Sequence, residues 1–142
     1  MAKQLGRAML VKIGDGAGGS EVFTPLCGLN SKTITINRTS IDATTADCTT
    51  PGGALWRETL SGLQSIDISG DGIFEDETAE TRLHTIAMAA DNVVNLEIVV
   101  PDFGTYAGAF RVTNLEFSGE TEGALTFSTS FESTDAVTFT AA

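Results

Sequence analysis

Apolar and polar residues alternate with a period of two along most of this chain, the pattern of strands with one buried face. Met9, Val11 and Ile13 alternate with Leu10 and Lys12, which predicts a strand over 8–13. The Gly-rich run 14–20 ends it as a hairpin turn, and a second strand is expected near 21–24. Thr33-Ile34-Thr35-Ile36 is β-branched and two-faced, and strand character extends to Ser40-Ile41-Asp42. Leu55–Leu60 and Gln64–Ser69 read as two more strands, the second closed by Gly70-Asp71-Gly72. There the period changes: Ala79, Leu83, Ile86, Ala87 and Ala90 fall on one helical face behind the acids Glu75, Asp76 and Glu77, predicting a helix over 76–90. Leu96, Ile98 and Val100 begin the last β region, and Pro101-Asp102-Phe103-Gly104 turns the chain. The apolar phase slips by one between Val112 and Leu115, which predicts a bulge at Thr113-Asn114. Leu125, Phe127, Thr129 and Phe131 line one face of a long strand, and Val137 and Phe139 mark a short final one. Strands, one lateral helix, then strands again make a mainly β fold, a β-sandwich or open barrel with one flanking α-helix.

One stretch does not fit a compact domain. Residues 43–54 are small and polar, and a connection of that length is commonly functional or mobile. Trp56, with Arg57 and Glu58 beside it, follows directly. A lone Trp is most often a core residue, but Trp and Arg together are also enriched at the centres of contacts between proteins. The polar stretch has too few apolar residues to pack on its own domain, and completion by a neighbouring subunit accounts for its length.

Length, charge and composition narrow the function. The 142 residues suffice for one domain, taken as 1–142 without a linker or internal repeat. No apolar run is long enough to span a membrane as a helix, and the N-terminus lacks the apolar stretch of a secretory signal, so synthesis in a cytoplasm is expected. The net charge is −11, from eight Lys and Arg against nineteen Asp and Glu. Residues 1–38 carry five cations and two anions, whereas 39–142 carry three and seventeen. Such a surface repels duplex nucleic acid, since binding depends on cations displacing condensed counterions. The opposite signs of the two segments permit head-to-tail attraction between copies. Cys27 and Cys48 have no zinc-motif spacing, and with no export signal both are expected as reduced thiols.

No catalytic constellation is legible. The single histidine, His84, stands beside the apolar stripe of the helix, and no G-x-S-x-G motif is present. The turn after Lys12-Ile13 lacks the Lys-Ser/Thr of a phosphate loop. Asp67, Ser69, Asp71 and Gly72 partly follow a calcium-loop spacing, but Thr78 stands where the bidentate Glu belongs, so a strand-to-helix turn is the expected reading. Neither a cofactor nor a metal is expected.

Several segments together resemble a known family. They are Lys3–Gly14 with its Gly-rich turn, Thr35–Asp42, the Thr/Asp/Gly loop ending in Trp56-Arg57-Glu58, Ser65–Phe74, Val100–Gly104 and Leu115–Glu120. Their order and spacing resemble the major tail protein family of long, flexible-tailed phages, most of all its branch in prophages and gene transfer agents. The resemblance runs over about residues 3–140. It implies a tail tube fold and a structural virion protein made in the bacterial host cytoplasm, with hexameric rings that stack head-to-tail around an acidic lumen. It further implies a tape measure protein in the lumen before ejection, passage of double-stranded DNA without sticking, and terminator and distal tail or baseplate proteins at the tube ends. The N-terminal arm 1–7 and the loop 42–58 are the expected ring contacts, with Lys3, Arg7, Asp42, Asp47, Trp56, Arg57 and Glu58 as candidate interface residues. Two other readings stand beside it: a tube or terminator component of a related machine such as a type VI secretion tube, and a carbohydrate-binding β-sandwich. The second needs exposed aromatics, and Trp56 and Tyr106 are the only Trp and Tyr.

Overall fold

The computed structural model describes residues 3–16, 20–46 and 48–142. Eight strands and one helix follow in chain order: β1 (Leu10–Gly14), β2 (Phe23–Pro25), β3 (Leu29–Asp42), β4 (Thr59–Ile73), α1 (Thr78–Ala87), β5 (Val93–Val100), β6 (Gly104–Ser118), β7 (Thr126–Ser133) and β8 (Thr138–Ala141). All pair into one antiparallel sheet in the order β2-β1-β5-β6-β7-β4-β3, with β8 continuing from β7 along the same flank of β6. Five pairing steps separate β1 from β3, about 24 Å if the sheet were flat. Yet the Lys32 ammonium on β3 donates to the Met9 carbonyl beside β1 at 2.5 Å. The sheet therefore curls almost onto itself, as the expected open barrel.

The alternating pattern explains the inside of that curl. Val11 and Ile13, Val94, Leu96 and Ile98, Phe110 and Val112, Ile68, and Phe127 and Phe131 all bury their side chains in one core. Ala79, Leu83 and Ile86 of α1 close it, from the apolar stripe expected of the helix. Ala90 lies beyond the helix end and is exposed. The predicted bulge is present, since Val112 opposes Phe131 and Asn114 opposes Ser130, leaving Thr113 as the extra residue.

Two local expectations fail for tertiary reasons. Gly70-Asp71-Gly72 does not break a strand: β4 runs through to Ile73, paired on one side with β3 and on the other with β7. A Cβ on Gly72 would stand 1.9 Å from the Gly28 carbonyl oxygen and 2.7 Å from the Asn30 amide nitrogen. The glycine is there because the backbone of β3 passes too close for a side chain. Leu55–Glu58 are not strand either. Pairing of β3 with β4 ends at Asp42–Thr59, so the connection covers 43–58. Of the Gly-rich turn, residues 17–19 lie outside the described residues, but Gly14 opposes Phe23, as a hairpin requires.

Glu80 is a cost that the sequence did not announce. It is 3% exposed, and among the described residues neither carboxylate oxygen has a hydrogen-bond partner. Burial pushes its carboxyl above the usual range; the amides of Glu80 and Gly28 oppose the rise in part, and Glu75 and Glu77 add to it. As pH climbs above the ordinary carboxylate range, the unfolded chain loses this proton before the folded one, so stability falls until the folded group ionises. The advantage of Glu80→Gln in urea midpoint is expected to be larger at pH 7 than at pH 4.5; an equal offset at both would contradict a raised carboxyl. Gly72→Ala is expected to lose roughly 2 kcal/mol or more in urea unfolding, because the atoms it meets are backbone and cannot rotate away.

Candidate subunit interface

Three features of the surface stand out from a monomer's requirements. The first is an arm. β7 accompanies β4 only as far as Asp67–Glu132, and the Ser133 hydroxyl accepts from the Ile66 amide at the end of that pairing. Beyond it, Asn37–Asp42 and Thr59–Ser65 continue as a two-stranded ribbon, roughly 20 Å long. Thr39 stitches the ribbon where β4 carries an extra residue: its hydroxyl accepts from the Leu63 amide at 2.6 Å. Apolar side chains on the arm have no second layer to enter. Ile36, Ile41, Leu55, Leu60, Leu63 and Trp56 are all exposed, Leu63 to 80% and Trp56 to 84%.

Residues at the root of the connection hold it shut. The Asp42 carboxylate accepts from the Thr44 hydroxyl at 2.7 Å and the Thr44 amide at 3.0 Å, which keeps its pKa below the usual carboxylate value. The Thr44 hydroxyl in turn accepts from the Glu58 amide at 2.9 Å, and the Ala43 amide donates to the Glu58 carbonyl. Asp42 and Glu58 are thus brought together as a clamp, with the Glu58 side chain left exposed. Trp56 and Arg57 stand just beyond that clamp, and among the described residues Arg57 has no hydrogen bond or ion pair. Lys3 and Arg7 are exposed in the N-terminal arm, of which Met1 and Ala2 are outside the described residues. Asp47 also lies outside them.

The second feature is a one-sided polar wall. Direct cross-strand partners share a face, so the sides of β3, β4, β7 and the end of β6 that turn away from the core can be read from the register. On that side Thr33 opposes Ser69, Thr35 opposes Asp67, Asp67 opposes Glu132, and Ser69 and Asn114 both oppose Ser130. Ser31, Asp71, Ser128 and Glu116 complete it. Four carboxylates stand there among hydroxyl and amide groups, with no Lys or Arg before Arg111. Arg111 is itself turned to Asn92 and Asp91, its guanidinium donating to Asn92 at 2.5 Å. Asp67, Ser69 and Asp71 are therefore successive outward positions on a strand and not a calcium loop. Among the described residues no cluster suited to a metal occurs.

The third feature is a pair of open edges on the same four strands. Among the described residues the outer side of β3 has no strand partner, and β5 pairs with β6 only as far as Arg111, leaving Thr113–Ser118 without a strand on that side. Unpaired edges of this length invite strand addition from another chain.

The sequence pointed to Trp56 and Arg57 but not to the exposed Ile36, Ile41, Leu60 and Leu63. Their alternation is the same as that of buried strand residues, so only the register shows that no layer covers them. A glycan-binding surface gains nothing, because Tyr106 is half-buried against Phe139, with ring centres 4.9 Å apart. His84 is exposed on α1.

Comparison with known proteins agrees with this geometry. The family model described as phage tail tube protein matches residues 3–139. The chain is similar to the tail of an empty gene transfer agent particle refined with C6 symmetry, at 30% identity and a TM-score of 0.83, covering 98% of this chain and 100% of that one. A chain in the virion of a native gene transfer agent particle is 28% identical, with a TM-score of 0.80 and coverage of 98% and 100%. The tail tube of SPP1, at 14% identity and a TM-score of 0.64, shares the fold over 97% of this chain and 79% of that one. No curated protein matches the chain.

Because Trp56 is almost fully exposed, Trp56→Ala is expected to leave the melting temperature of the free subunit within about 2 °C of wild type. A clearly larger loss would place the indole in the subunit's own core.

Proposed function

The chain belongs to the family of phage tail tube proteins, and we propose that six copies close into a ring, that rings stack head-to-tail, and that the polar wall of β3, β4, β7 and β6 lines the lumen. It is a structural subunit of a phage-type tail and not an enzyme. The observation that carries the finer reading is the wall itself: Asp67, Asp71, Glu116 and Glu132 stand among serines, threonines and asparagines, and Arg111, opposite Glu132, is the one cation at its end among the described residues, turned to Asn92 and Asp91.

Physical chemistry connects that wall to conduction. DNA held by a protein exchanges its counterions for Lys and Arg. A surface of hydroxyls and carboxylates offers no such exchange, while water stays bound to it. The repulsion is screened within about 8 Å at physiological salt, so the acids act only if they stand on the wall. The open edges of β3 and β6 suit ring closure, since joining them between neighbours hides both and makes the wall continuous around the bore. Six-fold symmetry in the similar gene transfer agent tail supports that count. Ring stacking is heterologous, one end meeting the other, and so extends without limit unless another component stops it. Before ejection the bore would hold a tape measure protein, and terminator and distal tail or baseplate proteins would close the ends. The N-terminal arm with Lys3 and Arg7, together with the 42–58 connection carrying Asp47, Trp56 and Arg57, would contact neighbouring rings.

Negative-stain microscopy of the purified chain, alone and with its tail partners, is expected to show rings or tubes; a strict monomer in both settings overturns the reading. In the assembled particle, Asp71→Lys with Glu132→Lys is expected to leave tube length unchanged and to lower DNA delivery per particle by about an order of magnitude or more, because new phosphate contacts hold the passing duplex. Undiminished delivery would remove these residues from the bore.

A further inference from the structure

Resting on the tube reading above, we infer which surface of one copy receives the arm of the next. The arm and its receiver lie at opposite ends of the same strand pair. β3 and β4 reach the arm at Asp42 and Thr59; at their other end Leu29 opposes Gly72, and Ile73, Ser118 and Thr126 meet in register. That far end is some 45–50 Å away along β4.

The far end is shaped and charged unlike the rest of the molecule. Residues 71–81 and 116–126, which converge there, hold eight Asp and Glu and no Lys, Arg or His. Glu75, Asp76, Glu77, Glu120 and Glu122 are all exposed. Between these acidic segments the subunit leaves Phe117 and Leu125 open, each more than two-fifths exposed, whereas Ile73 turns to the opposite face with Ser118 and Thr126. Phe117 is not a loose side chain. It meets Phe74 edge-to-face at a centroid distance of 5.2 Å, and Phe74 meets Phe127 of the core at 6.2 Å in the same way. Phe117 is thus held rigidly, and the acids of the two converging segments repel one another; Glu75 and Glu77 also add to the raised Glu80 carboxyl.

The arm tip has the complementary chemistry. Leu55 and Trp56 are large and exposed, and Arg57 beside them has no partner among the described residues. Trp and Arg are among the residues most enriched where binding energy concentrates. Seating Leu55 and Trp56 on Phe117 and Leu125 removes apolar surface from water on both copies. It also brings Arg57 into a field of unpaired acids, where a guanidinium can take a carboxylate with two parallel hydrogen bonds. The occupant is therefore a second copy of this chain, and because the two surfaces lie at opposite ends the contact is polar and repeats along the tube.

A photo-crosslinking phenylalanine analogue placed at position 56 in assembled tubes is expected to join residues within 73–77 or 116–126 of another copy; crosslinks mapping only elsewhere overturn the assignment. Arg57→Glu is expected to lower tube yield about tenfold or more while single rings persist. Glu120→Arg with Glu122→Arg is expected to do the same, and combining all three substitutions to restore stacking. Full stacking by Arg57→Glu alone, or no recovery in the triple variant while rings still form, overturns the inference. If the wild-type chain forms neither rings nor tubes, the tube reading falls and this inference with it.

Discussion

Two hydrogen-bonded strands standing alone satisfy their backbone but have no second layer for their side chains. The ribbon formed by Asn37–Asp42 and Thr59–Ser65 is such a pair. In most other strands among the described residues, a face that carries Ile, Val, Leu or Phe packs into the core closed by α1. On the arm, Ile41 opposes Leu60 with nothing above them, and Leu63 and Trp56 are almost wholly in water. A two-stranded ribbon is marginally stable by itself, and apolar groups that stay wet add nothing to it. In the proposed tube, the burial of this strand pair is completed outside its own subunit.

That incompleteness organises the rest of the molecule. The curled sheet and α1 make a closed core that holds β3 and β4 in place, and Lys32 ties β3 to the chain beside β1. The core positions three things at once: a ribbon pointing one way, an acidic platform at the opposite end, and a polar wall between two open edges. A monomer needs none of these. Each is a cost to the isolated chain, through wet apolar surface, mutual repulsion of carboxylates or unpaired backbone groups. In the proposed tube, stacked copies would turn each into a contact or a channel surface.

Much of this was legible from periodicity. The alternation at Val11/Ile13, Leu96/Ile98 and Phe127/Phe131 placed strands whose inner faces are the observed core, and Ala79/Leu83/Ile86 placed the helix. The phase slip at Thr113 located a bulge, because a single extra residue reverses every later side chain. Gly70 and Gly72 misled, since two glycines around an Asp mark a turn in most contexts; here they mark the close passage of another backbone. Glu77, the residue capping the start of α1, and Glu80 in its first turn are the same residue type three positions apart, and only the packing of α1 decided that Glu80 is buried and Glu77 is not.

The order of residues by itself determined most of the strands, the single helix, the acid excess and the presence of a Trp-Arg pair after a long polar connection. These are properties of local pattern and composition, which no partner strand can alter. It could not determine which Ile or Leu would be wet, which acids would share a face, or which residues would meet at one end of the sheet. Those follow from register and from where each neighbouring strand stops. Hydrogen bonds between residues far apart in the chain set both, and in sequence Ile36 and Ile68 read alike, though the fold leaves the first in water and seals the second in the core.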